Sequence, residues 1–143
     1  MKTYAQKPAE VTRQWVLIDA SSATMGRVSS LAAKHLIGKH YPTYTAHVDG
    51  GDHVVIINAD QLQVNESKLT QKKYYRHSGH PGSLKTETLG DIKATDAKKA
   101  IELAVKGMLP KNKLGRERFA RLHVYNGPEH KNHGQQPKKV EVK

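Results

Sequence analysis

The chain has 143 residues, with 24 Lys plus Arg against 13 Asp plus Glu, a formal charge of +11 and a pI near 9.9. That length fits one domain of roughly 100–150 residues, while 36% apolar residues and a mean hydropathy of -0.71 allow one modest core under a large polar surface. The lack of cysteine excludes disulfides, thiolate nucleophiles and sulfur-ligated metals, and with no run near ~20 apolar residues and no apolar signal core, a soluble cytoplasmic protein with an anionic partner is expected.

Residues 1–14 are polar, contain Pro8 and carry no period, so they are expected to lie over the fold as an arm. Trp15–Ala20 (WVLIDA) reads as a short buried strand. Thr24 follows as a cap for a helix whose Met25, Val28, Leu31, Ala32, His35 and Leu36 recur at three- and four-residue spacing. Gly38 is placed to end it in a left-handed conformation. A second buried strand is expected over His53–Ala59 (HVVIINA), where four consecutive β-formers suggest cover on both faces. Gln61–Val64 and Lys72–Arg76 read as shorter extended segments around a polar loop, and the Gly- and Pro-bearing loop His77–Lys85 argues against regular structure.

From Asp96 onward, Ala97, Ala100, Ile101, Ala104, Val105 and Met108 form an unbroken helical stripe that stops near Pro110. A short basic helical piece is expected around Arg116–Leu122 and a strand over His123–Tyr125. Residues 15–127 would then be the core, and the basic tail 128–143 an extended arm ordered by a partner. A single domain spans 1–143.

Positive charge gathers in four patches. Lys39 and His40 follow the first helix. Lys72, Lys73, Tyr74, Arg76, His77, His80 and Lys85 make an acid-free stretch. Lys106, Lys111, Lys113, Arg116, Arg118 and Arg121 continue from the second helix, and His130, Lys131 and His133 stand in the tail. Phosphate backbones bind such surfaces by releasing counterions, and interleaved Tyr or His rings can stack on bases. Gly79, Gly82, Gly107 and Gly115 lie within the patches, where the missing Cβ allows backbone amides to reach a phosphate; turn formation explains them equally.

Other chemistries find less support. His77-x-x-His80 and His130-x-x-His133 lack the third and fourth ligands of a zinc site. Ser78 has no nucleophile-elbow context, and no Gly-rich nucleotide loop is present. Asp49 and Asp52 bracket two glycines, a pattern open to cation binding, with capping of the turn into the strand the simpler role. No catalytic residue, metal or cofactor is expected.

The string Ala104–Arg116 (AVKGMLPKNKLGR) resembles the signature of the bacterial large-subunit ribosomal protein L-thirteen family. Gly38–Asn58, Lys73–Gly82 and Val124–His130 match that family in order. The resemblance implies an α/β fold, a three-layer α/β/α single domain with a small, mainly parallel sheet and extended basic N- and C-terminal arms. It implies a structural constituent of the large ribosomal subunit, not an enzyme, that binds large-subunit ribosomal RNA and helps early assembly. Its partners would be that RNA and neighbouring ribosomal proteins, with no membrane and no small-molecule substrate. The alternative is a regulatory RNA-binding protein acting outside the ribosome.

Overall fold

A computed structural model describes residues 4–142; residues 1–3 of the expected N-terminal arm and residue 143 of the tail lie outside the described residues. In chain order the elements are Trp15–Asp19 (β1), Met25–Ile37 (α1), His53–Ile57 (β2), Glu66–Gln71 (α2), Lys73–Arg76 (β3), Lys85–Thr88 (β4), Leu89–Thr95 (α3), Ala97–Met108 (α4), Lys113–Phe119 (α5), Leu122–Val124 (β5) and Lys138–Val140 (β6).

The four-stranded main sheet has the order β5-β2-β1-β6 and is parallel throughout. Register sets Val16 beside Val54 and Leu122, and Ile18 beside Ile56 and Val124. These side chains share one face, and most are buried. The steps from β1 to β2 and from β2 to β5 run in the same direction, so right-handed crossovers bring both connections to that face. There α1 and α4 pack together. Helix α1 buries Val28, Ala32 and Leu36 and ends at Gly38, whose φ is +84°. Helix α4 starts where Asp96 accepts a hydrogen bond from the Lys98 amide at 3.1 Å and buries Ala100, Ile101 and Val105. Each large apolar side chain withdrawn from water contributes about 1.5–3 kcal/mol. The last residue of the expected stripe, Met108, is 43% exposed.

The connection from β5 to β6 reverses direction and must pass two strands to reach the far edge. The same handedness carries it over the opposite face. This return segment holds one 3-10 turn at His133–Gln135 and a hydrogen bond from the Tyr125 hydroxyl to Asn132 Oδ1 at 2.7 Å. Trp15 lies on the face opposite Val16, stacked on His53 at 4.2 Å and on His123 at 5.5 Å between ring centroids.

This geometry corrects the expected C-terminal arm, because Lys138–Val140 pairs with β1 and Lys139 sits beside Leu17. An uncovered β1 edge would leave a row of backbone donors and acceptors unpaired, and a short Lys-bearing edge strand satisfies them while discouraging further pairing. Helix α2 lies where a polar loop was expected, and α3 lies in a stretch for which no element was expected. Helix α2 buries no residue, so it shows no apolar period. Helix α3 is announced by a capping box: the Thr88 hydroxyl accepts from the Asp91 amide, and Asp91 Oδ2 accepts from the Thr88 amide at 3.0 Å.

Candidate nucleic-acid interface

Not every cation of the Ala104–Arg121 segment faces outward. Arg118 and Arg121 are buried, 3% and 8% exposed, and both converge on Asp49. Arg121 Nη2 donates to Asp49 Oδ1 at 2.7 Å and to the Leu36 carbonyl at 3.1 Å, its Nε donates to the Asp52 carbonyl at 3.3 Å, and its Nη1 also engages Asp49. Arg118 Nε reaches Asp49 Oδ1 at 3.3 Å. One arginine thus ties together the end of α1, the loop before β2 and the start of β5. Both residues were expected on the RNA-facing surface; the structure turns them inward, because a guanidinium fork can satisfy a buried carboxylate and two carbonyls at once.

Burial by itself would raise the Asp49 pKa. The hydrogen bonds and charge of Arg121, with Arg13 and Arg118, hold it below the usual carboxylate value. A depressed folded value contributes stability that is full above the unfolded value of about 3.9 and is lost as pH falls through the folded value. Asp19 and Asp52 are shifted the same way. The melting temperature is therefore expected to hold down to about pH 5 and to drop below about pH 4, with a shallower acid limb in Asp49→Asn, as checked by far-UV circular dichroism across pH.

With those two withdrawn, Lys106, Lys111, Lys113 and Arg116 remain exposed. Lys106, Lys111 and Arg116 line one shallow cleft of about 380 Å³ floored by Leu109, Pro110 and Phe119. The Asn112 side chain accepts from the Gly115 amide at 2.9 Å and starts α5. Gly115 has a packing role: a Cβ there would stand 1.8 Å from the Pro110 carbonyl oxygen. Its lack of a side chain closes the turn that fans the three cations around the cleft.

Across the last turn of α4, a second cleft of about 660 Å³ is lined by Lys68, Lys72 and Tyr74 together with Gly107 and Met108. Two sequence patches distant along the chain thus flank one helix end. Lys72 Nζ sits 5.4 Å from the Tyr74 ring centroid. Tyr74 faces inward with a buried, unpartnered hydroxyl, whereas Tyr75 is 64% exposed and is the better stacking platform. In the antiparallel β3–β4 hairpin, Arg76 stands directly opposite Lys85. Like charges in that position destabilise a hairpin unless an anion bridges them. His77 and His80 are exposed in its loop, and His77 Nδ1 accepts from the Gly79 amide at 2.9 Å. Lys68 was not singled out in the sequence, and within the second patch Tyr74 was preferred to Tyr75: Lys68 sits on a helix with no visible period, and strand alternation alone does not say which face of a small hairpin is open.

The remaining residues lie apart. Lys39 is exposed after α1, near the N-terminal ends of the strands. His40 turns inward, with Nε2 3.1 Å from Asp52 Oδ2, and its burial and the neighbouring His35 lower its pKa. At the opposite end of the sheet, His130 and His133 stack at 4.2 Å and Lys131 is exposed. Among the described residues, no helix is long and apolar enough to cross a membrane.

A profile of the family described as Ribosomal protein L13 matches residues 13–131. The chain is 51% identical over 142 residues to the large ribosomal subunit protein uL13 of Thioalkalivibrio sulfidiphilus, covering 99% of this chain and 100% of that one. It is 50% identical over 141 residues to the protein of the same name from Geobacillus thermodenitrificans, covering 99% and 97%. With that of Nitrosococcus oceani the identity is 49% over 142 residues, covering 99% and 100%.

Proposed function

The chain belongs to the Ribosomal protein L13 family, and from that premise we propose that it is a structural constituent of the large ribosomal subunit that binds large-subunit ribosomal RNA and helps early assembly. The observation that carries the RNA-binding part is the exposed set Lys106, Lys111, Lys113 and Arg116 mounted on a buried Arg118–Asp49–Arg121 anchor. Charges held on a rigid frame present a shaped surface, and shape suits folded RNA, whose A-form major groove is too deep and narrow for side chains to read. Lys68 and Lys72 extend the surface across the end of α4, with Lys73, Tyr75, Arg76, His77, His80 and Lys85 on the adjoining hairpin. Lys39, Lys131 and the His130–His133 stack serve outlying contacts.

Binding neutralises phosphates where RNA segments converge and favours the assembled particle by mass action. Residues 1–143 act as one domain, with the tail part of the folded unit. Neighbouring ribosomal proteins complete its surroundings, in the cytoplasm, and it performs no catalysis. The deciding experiment is sedimentation of the tagged protein from cells through a high-salt cushion. It is expected to travel with large subunits in near-stoichiometric amount; release at high salt would instead support the regulatory RNA-binding reading.

A further inference from the structure

A site of different chemistry lies beneath the Lys39 patch, where three groups from separate parts of the chain meet. His35 comes from the last turn of α1, His40 from the turn after Gly38, and Asp52 from the residue before β2. One donor atom from each lies within 4.8 Å of the others. His40 Nε2 is 3.1 Å and His35 Nδ1 3.6 Å from Asp52 Oδ2. His35 Nδ1 is buried and, lying just beyond hydrogen-bond distance of Asp52, makes no hydrogen bond, an uncommon state for a polar atom that a bound ion would satisfy.

We propose that His35, His40 and Asp52 form a divalent transition-metal site, best suited to Zn2+. Four-coordinate zinc with bonds of about 2.0–2.1 Å to nitrogen and oxygen sets neighbouring ligand atoms roughly 3.3 Å apart. The two separations from Asp52 Oδ2 bracket that value and the two imidazole donor atoms lie within 4.8 Å of each other, so an ion fits once the rings draw together around it. Two imidazoles and one carboxylate favour zinc over magnesium or calcium, which take oxygen ligands. Outer-shell support is in place. The Gln14 amide donates to Asp52 Oδ1 at 3.0 Å, and the Tyr41 hydroxyl contacts both carboxylate oxygens at 3.0 and 3.1 Å. Such donors orient a ligating carboxylate. With three protein ligands, the fourth position is left for water or an incoming group. The ion would clamp the end of α1, the basic turn bearing Lys39 and the entry to β2 into one unit. None of this depends on the ribosomal reading.

The test uses the full chain, stripped with chelator and titrated with Zn2+ by calorimetry and with Co2+ by visible absorption. One equivalent per chain and the d–d bands of four-coordinate cobalt are expected. His40→Gln and Asp52→Asn should each weaken Zn2+ binding by more than the roughly 10–100-fold that loss of an outer-shell partner costs. A His130→Ala/His133→Ala variant should bind as the parent does. Absence of stoichiometric Zn2+ binding by the parent chain would overturn the site, as would binding lost in the His130/His133 variant and kept in His40→Gln. Should the ligand variants fail to fold, the ring nitrogen resonances of His35 and His40 in the parent chain decide: both must shift on Zn2+ addition, and unmoved resonances refute the assignment.

Discussion

Arg121→Ala is expected to cost about 3–5 kcal/mol of folding stability, the range for removing one partner of a buried ion pair. The loss is large because three acceptors lose their donor together. Asp49 keeps a carboxylate with only 11% of its side chain exposed, and the Leu36 and Asp52 carbonyls are left facing an empty volume. Arg118 and Arg13 still neighbour Asp49, at 3.3 and 3.7 Å, but Arg118 donates to Asp49 and the Val48 carbonyl and neither arginine donates to the Leu36 carbonyl. Against a typical total of about 5–15 kcal/mol, such a loss is a substantial fraction. Urea and thermal melts followed by far-UV circular dichroism measure it. Arg121→Lys should recover only part, since an ammonium offers no planar fork. A melting temperature unchanged in Arg121→Ala would show that Asp49 is satisfied without this residue.

Neutralising the outward-facing cations should do the reverse, sparing the fold and weakening RNA binding. In a Lys106→Gln/Lys111→Gln/Arg116→Gln variant, the slope of log affinity against log salt is expected to flatten by about 2–3, at roughly 0.7–0.9 per phosphate contact. Near 0.1 M salt that corresponds to a loss on the order of a hundredfold. Binding should weaken and not vanish, because Lys68 and Lys72 line the cleft across the same helix end and Arg76 and Lys85 add charge farther along the hairpin. Lys98→Gln/Lys99→Gln is the fitting control, since those cations on α4 already face Glu102 at 3.7 Å and Glu87 at 4.0 Å. Filter binding of a large-subunit RNA fragment across a salt series reads both variants. An unchanged slope in the triple variant would remove this cleft from the interface.

The contrast between Arg121 and Arg116 marks how far the sequence could be read. Both are arginines in one basic run five residues apart, and charge counting treats them alike. What separates them is Asp49, which meets Arg121 only through a fold that sets the loop before β2 against the start of β5. Tyr74 and Tyr75 illustrate the same limit at shorter range. The pair His35 and His40 looks unremarkable along the chain, since the closer His-x-x-His pairs drew the attention and the third donor, Asp52, lies in another segment.

Period, caps and charge sufficed for the elements that bury a stripe. Strands β1 and β2 and helices α1 and α4 follow from local patterns, because 2- and 3.6-residue periods are imposed by backbone geometry; the anionic nature of the partner follows from charge, and the mainly parallel sheet from the family resemblance. Tertiary structure alone decided the rest. It made an edge strand of the tail, drew two arginines inward, set two basic patches on either side of the α4 end and gathered His35, His40 and Asp52. Each of these depends on pairings between residues far apart in sequence, and a buried charge or an open sheet edge is costly enough to select its partner wherever the chain brings one.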